Sequence, residues 1–316
     1  MRSSGLTIGV DVGGTKIAAG VVDGRGQVLA RVRRETPADD AAATEEVVVR
    51  AVSDLRSRHV VDAVGVGAAG FVDAARATVL IAPNLAWRKE PLRADLEGRL
   101  GLTVVVENDA NAAAWGEFCF GAGHDVDDLL LVTVGTGIGG GLVLGRQLYR
   151  GAFGVAGEIG HLRVVPGGRR CPCGNRGCWE QYASGSALVR EAREVAASGS
   201  PQAADLLRRA GGDPAAIDGP MVTGAASEGD GFAEELFDTL GRWLGEGVAS
   251  LAAVLDPAVV VVGGGVAKAG ALLLEPARTA YRTNLSGRRH RPELELRPAL
   301  LGNDAGLIGA AALARV

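Results

Sequence analysis

The stretch LTIGVDVGGTKIAAGVV, Leu6–Val22, decides how the rest of the chain reads. Its apolar run enters Asp11, breaks at two glycines and resumes, which reads as strand, glycine turn, strand. The same pattern returns in LLLVTVGTGIGGGLVL, Leu129–Leu144, a little under half the chain later. Two copies of one opening unit predict two related α/β halves, with a boundary near Phe120. A third strand, AVVVVGGG from Ala258, also closes on glycines. Phosphate needs exposed backbone N–H groups with no Cβ in the way, and glycine turns after strands supply both. A single such turn could equally close a hairpin. Three of them, with Thr15, Lys16 and Thr136 as polar neighbours, point to nucleotide. The spacing is neither a Walker-type loop nor a Rossmann fingerprint. Asp11 ends its strand beside the first turn, where a carboxylate would repel phosphate unless a cation stood between them, and this points to Mg²⁺.

Working outward, a tight DGRG turn at Asp23 leads to a third strand. Glu45 to Arg58 carries Val48, Val52 and Leu55 at helical spacing. AVGVGAAGF from Ala63 and TVVVEND from Thr103 read as strands, with a helix from Pro91 to Leu100 between them. Helices are predicted over Asp109–Cys119, Trp179–Ala197, Asp230–Leu255 and Asn303–Val316. Residues 198–220, rich in Ala, Gly, Asp and Pro, are expected to be the least regular.

Of 316 residues 22 % are charged and the net charge is −4, so no global field favours nucleic acid or an anionic membrane. No apolar stretch reaches the ~18–20 residues that cross a bilayer. Nor does the N-terminus have the build of a secretory signal. A soluble, cytoplasmic chain is expected. Three of its four cysteines, Cys171, Cys173 and Cys178, crowd into eight positions. In a reducing compartment such a cluster more often holds a metal than forms a disulfide, which is the alternative. His59, His124 and His290 have no such neighbours and are expected at the surface. Cys119 is expected to be buried in a helix.

DVGGTK, VVENDANAAAWGE, VTVGTGIGGGLV, GEIGH and CPCGNRGCWEQYASG together resemble the ROK family of sugar kinases, within the actin–hexokinase–Hsp70 superfamily. The resemblance covers essentially the whole chain, and within the family the motifs are most similar to those of bacterial ATP-dependent glucokinases. It implies a two-domain α/β fold of the actin–hexokinase–Hsp70-like (ribonuclease H-like) kind with an interdomain cleft. Residues 1–120 would form a small domain joined by a C-terminal helix, 302–316. Residues 121–301 would form a large domain carrying a zinc loop.

The implied reaction is ATP-dependent phosphorylation of D-glucose at the 6-hydroxyl. Asp109 matches the family's catalytic base, although on local sequence alone it could equally be a helix N-cap. His161, Cys171, Cys173 and Cys178 match the ligands of one structural zinc, a closed set of three thiolates and an imidazole. The sugar would be held by Asn84, Asn108, Asp109, Glu158, His161, Glu180 and the backbone near Gly70. Mg-ATP would lie on Asp11, Gly13, Gly14, Thr15, Lys16, Gly135, Thr136, Gly137, Gly264 and Gly265. The resemblance further implies a homodimer or homotetramer that binds neither nucleic acid nor membrane. Other readings are a kinase for N-acetylmannosamine, fructose, mannose or allose, or a sugar-sensing regulator. Regulators of the family carry an N-terminal helix-turn-helix, for which five residues before the first strand leave no room.

Overall fold

The computed structural model describes residues 5–315. Residues 1–4 and 316, which the predicted domains and terminal helix include, lie outside the described residues. Grouped by contact, the chain falls into two units. The first runs to Leu131, takes in Gly140–Gly157 and resumes at Ala299; the second holds Val132–Gly139 and Glu158–Pro298. The division therefore comes later than Phe120, because residues 140–157 pack on the helix that Phe120 ends. A Cβ at Gly141 would stand 2.5 Å from that of Ala114, and Arg150 pairs with Glu107.

The opening stretch forms β1 (Thr7–Val12) and β2 (Lys16–Val22), followed by β3 (Val28–Glu35) and α1 (Ala41–Arg56). Then come β4 (Ala63–Ala68), the short strands β5 (Phe71–Val72), β6 (Val79–Ile81) and β7 (Arg88–Glu90), α2 (Leu92–Leu100), β8 (Thr103–Asn108) and α3 (Asp109–Phe120). After it the chain forms β9 (Leu129–Val134), β10 (Ile138–Leu144) and β11 (Gln147–Tyr149). There follow α4 (Glu180–Ala183), α5 (Gly185–Ala197), α6 (Ala204–Arg209), α7 (Gly219–Ser227) and α8 (Gly231–Leu255). The chain ends with β12 (Val259–Gly263), α9 (Ala271–Asn284), β13 (Glu295–Pro298) and α10 (Ala305–Leu313).

One sheet has the order β3-β2-β1-β4-β8 and another β11-β10-β9-β12-β13. Both read third, second, first, fourth, fifth, so the duplication seen in the glycine motifs extends to the whole strand order. A small sheet, β5-β6-β7, was not visible in the sequence because its strands are only two or three residues long.

In the first sheet, β1 pairs antiparallel with β2 and parallel with β4, and β4 pairs parallel with β8. A central parallel strand needs cover on both faces. Val48, Ala51, Val52 and Leu55 of α1 join Ile8, Val10, Val64 and Val66 in one buried cluster. On the other face α10 lies directly on the strand backbone. A Cβ at Gly9 would come within 1.8 Å of Leu307 O, and one at Gly65 within 1.8 Å of Ala310 O. The α10–α3 contact is equally close: a Cβ at Gly309 would sit 1.7 Å from Ala112 O. Gly309→Ala is accordingly expected to lower the melting temperature, although alanine favours a helix interior over glycine by about 1 kcal/mol. Overpacking costs about 1–3 kcal/mol, and a melting temperature at or above the parent's would show that α10 does not rest on backbone.

Several predicted helices start or stop elsewhere, two of them for a capping reason. Asp40 accepts from Ala43 N–H and starts α1 before Glu45. Ser184, extended, accepts from Ala187 N–H and so splits the predicted Trp179–Ala197 helix into α4 and α5. Residues 198–220 are more regular than expected, with α6 in their midst and α7 beginning at Gly219 behind its cap Asp218. The terminal helix is preceded by a 3₁₀ turn over Gly302–Asp304. Cys119 is half-buried rather than buried. Among the described residues no helix is long and apolar enough to cross a membrane.

Candidate active site

In the first unit, two segments of the first sheet bring two carboxylates together. Asp11 is the next-to-last residue of β1, and Gly13–Thr15 turn the chain into β2, with Gly13 N–H donating to Lys16 O at 3.0 Å. Thr36, absent from the sequence reading, fixes this turn: its hydroxyl donates to Gly13 O at 2.8 Å and its N–H to Thr15 O at 3.2 Å. A Cβ at Gly14 would stand 2.9 Å from that of Asn84, so the predicted sugar residue Asn84 backs the predicted phosphate turn. Thr15, Lys16 and Asn84 are exposed.

Asp11 lies against Gly306 in the first turn of α10. Its carboxyl is pushed up to about 7, chiefly by burial and then by the charge of Asp109, with Lys16 opposing. A half-buried carboxylate so raised fits a site that receives a cation.

At the β8–α3 junction the N-cap is Asn108, not Asp109: Asn108 Oδ1 accepts from Asn111 N–H at 3.0 Å. The capping alternative for Asp109 therefore falls away, and Asp109 is the first helical residue. Asn108 Nδ2 donates to Gly70 O at 3.1 Å and to Asp109 Oδ1 at 3.1 Å. Asp109 Oδ1 also accepts from Ala110 N–H at 2.9 Å, so Oδ2 is the oxygen that neither donor holds. Burial pushes the Asp109 carboxyl up to about 6 against these hydrogen bonds. The Gly70 N–H is engaged with Ala68 O at 2.8 Å, which leaves a carbonyl lone pair as its remaining offer to a ligand.

In the second unit, Glu158 precedes a 3₁₀ turn that ends at His161. The loop behind it folds back on itself through Val164 N–H to Gly177 O, 2.9 Å, and Cys171 N–H to Asn175 O, 2.9 Å. Trp179 anchors its end, wholly buried, with Nε1 donating to Trp243 O at 2.8 Å. One donor atom each from His161, Cys171, Cys173 and Cys178 all lie within 4.8 Å of one another. Cys171 Sγ is 3.7 Å from His161 Nδ1 and Cys173 Sγ 3.6 Å from Cys178 Sγ. Ligands at about 2.3 Å (S) and 2.0–2.1 Å (N) on a tetrahedral ion stand about 3.5–3.8 Å apart, so the donor set fits zinc. All four cysteines are free thiols, and the disulfide alternative is not what the chain forms.

The two nitrogens of His161 face different ways. Nδ1 lies on the thiol side and 3.7 Å from Glu180 Oε1, while Nε2 lies 3.9 Å from Glu158 Oε2. The Cys171 thiol also donates to Glu180 Oε1 at 3.0 Å. The structure thus gathers the predicted metal ligands with Glu158 and Glu180. The glycine turn Gly135–Gly137 joins them: a Cβ at Gly137 would be 2.6 Å from Glu180 Oε2, and Gly185 N–H donates to Gly135 O at 2.7 Å. Gly264, at φ +89, closes on Val134 O, and with Thr136 and Gly265 it is exposed or nearly so. Glu107 and Asn111, buried behind Asp109, and the half-buried Arg150 were missed by sequence reasoning. The signal for Glu107 was a charged residue next to the last position of an otherwise apolar strand.

The ROK family profile matches residues 7–316. A glucokinase of Streptomyces coelicolor is 50% identical over 312 residues, covering 98% of each chain. A glucokinase of Halalkalibacterium halodurans is 38% identical, over 96% of this chain and 92% of its own. Among solved structures, a ROK family glucokinase from Streptomyces griseus in complex with glucose and AMPPNP superposes with a TM-score of 0.90 at 53% identity, covering 98% of this chain and 99% of that one.

Proposed function

The chain belongs to the ROK family, with its actin–hexokinase–Hsp70-like fold, and we propose how its residues carry out the reaction it catalyses, phosphorylation of D-glucose by ATP. The glucose 6-oxygen attacks the γ-phosphorus in line, a new O6–P bond forms, and the bond to the ADP oxygen breaks. Asp109 Oδ2 accepts the 6-hydroxyl proton as this happens and later releases it to solvent. In the first unit Asn108, the Gly70 carbonyl and Asn84 offer hydrogen-bonding groups to sugar hydroxyls; in the second, Glu158, His161 and Glu180 do. The Asp11–Lys16 turn carries ATP phosphates in the first unit. In the second, Thr136, Gly137 and Gly264–Gly265 would offer backbone N–H groups to the nucleotide, while Gly135 N–H shapes the turn by donating to Gly137 O at 3.0 Å.

Asp11 would hold Mg²⁺, which supplies charge neutralisation at the phosphates. His161, Cys171, Cys173 and Cys178 would hold zinc, which supplies rigidity. The imidazole Nε2 is then left to face the sugar in a fixed tautomer.

One observation carries the assignment of the base: Asn108 caps α3, which releases Asp109 from structural duty and holds only its Oδ1. ADP release from Mg-ATP against a panel of hexoses tests the reaction. Turnover largely confined to glucose is expected; a stronger preference for another sugar would change the acceptor and leave the base in place.

A further inference from the structure

Directly behind the catalytic dipeptide lies a buried polar network that the reaction as described does not use. Glu107 is 2 % exposed, yet it is charged and sits in β8 among valines. Its Oε2 accepts from Arg150 Nε at 2.6 Å. Its Oε1 accepts from the backbone N–H of Asn108 at 3.1 Å and from Asn111 Nδ2 at 3.1 Å. Asn111 is 1 % exposed, and its backbone N–H is the donor that Asn108 Oδ1 caps. Asn108 in turn holds Asp109 Oδ1. Every link from Arg150 to the base is therefore a hydrogen bond, and each residue along it touches the next.

A buried carboxylate with a single guanidinium partner is an expensive way to hold a strand end, and a well-packed apolar residue would commonly do as well or better. What an apolar residue cannot do is accept simultaneously from the Asn108 backbone and the Asn111 amide, and so set the angle at which β8 hands over to α3. Networks of this kind give rigidity and orientation to the groups they hold; here Glu107 and Asn108 are held on both sides, and Asn111 Oδ1 is the buried atom left without a partner.

We propose that Glu107, held by Arg150, is a positioning residue for phosphoryl transfer: it fixes Asn108 and, through it, the aim of Asp109 Oδ2 at the sugar hydroxyl. This rests on the reading of Asp109 as the base. Glu107 touches neither sugar nor nucleotide in this account. Its loss therefore falls on the step in which the base must be aligned, and less on sugar affinity.

The test is kinetic and uses the full chain. Glu107→Gln keeps the shape but sets an amide against Arg150, and Arg150→Lys keeps the charge but loses the planar fork. For Glu107→Gln, kcat is expected to fall by about 10–100-fold, the scale on which a misplacement of about 1 Å acts. The KM for glucose should stay within about 3-fold of the parent's. The acid limb of the kcat–pH profile should move to higher pH, because the Asn108 hydrogen bond that lowers the Asp109 carboxyl is loosened. Arg150→Lys should show the same pattern in milder form. If Glu107→Gln lowers the melting temperature but leaves kcat and the acid limb in place, the network is structural only and the proposal is wrong. A raised glucose KM at unchanged kcat would overturn it equally, by moving the role to sugar binding. Should Glu107→Gln not fold, Arg150→Lys decides, and an unchanged kcat there defeats the proposal. Asp109→Asn run alongside keeps the two readings apart: undiminished turnover in that variant removes the base itself, whatever the Glu107 variant does.

Discussion

Asp109→Asn is expected to lower kcat by about 10²–10⁴-fold, the range over which a positioned general base acts. In free energy this is about 3–5 kcal/mol of transition-state stabilisation. Glucose binding should survive, because the asparagine keeps the hydrogen bonds that seat the residue on Ala110 and Asn108. Equilibrium binding of glucose within a few-fold of the parent's, measured calorimetrically beside the turnover assay, separates loss of chemistry from loss of the sugar. A variant that turns over near the parent rate would take Asp109 out of the mechanism.

The pH dependence gives the same assignment a second handle. The base must be ionised to accept a proton, and burial pushes Asp109 up to about 6. The kcat of the parent should therefore fall below about pH 6, approaching tenfold per unit. Asp11 is pushed up to about 7 in the free protein, by burial first and the Asp109 charge second. If it meets a cation with the nucleotide, its ionised form is favoured in the complex. The acid limb of kcat/KM for Mg-ATP should then lie above that of kcat, since the first reports the free enzyme and the second the complex. Coincident limbs would remove Asp11 from the nucleotide site.

If the thiol cluster holds zinc as proposed, its removal is the other change expected to be large. Elemental analysis should find about one zinc per chain, and Cys178→Ser should lose it. Cys178 is fully buried and lies next to Trp179 at the anchored end of the loop, so the damage is expected to be local to the segment that carries His161 and Glu180. Disturbing even the partners of metal ligands typically changes metal affinity or activity by about 10–100-fold. The KM for glucose should rise on at least that scale, with a lower melting temperature. Full glucose affinity in protein shown to hold no zinc would mean that the glutamates keep their positions unaided.

Much of this site was legible in the sequence because its chemistry is local. The glycine turns, the thiol cluster and the Asn108–Asp109 pair each lie within a few residues, and resemblance supplied their roles. The duplicated strand order followed from two similar stretches. What could not be read was any group whose partner is distant in sequence. Glu107 looks like the edge of a motif until Arg150, 43 positions later, is seen to face it. Thr36 is an ordinary residue after a strand until it is found holding the first glycine turn. Local sequence also left the cap undecided between Asn108 and Asp109, since either side chain can do it. The contest was settled by backbone geometry, with Asn108 extended and Asp109 helical. The short strands β5–β7 carry too few residues to show an alternation.

The placement of α10 has a consequence for how the chain is made. The Thr7 hydroxyl donates to Ala311 O across 304 positions, and β1 and β4 present bare glycine backbone to the same helix. During synthesis from the N-terminus, the first sheet emerges early but lacks the cover for one face until nearly the whole chain has left the ribosome. That face is a waiting surface, exposed throughout the synthesis of the second unit. Its completion is a late, non-local step of the kind that slows folding and exposes intermediates to aggregation. Growth conditions that stall elongation late in the message should therefore harm the yield of active protein more than those that slow it near the start.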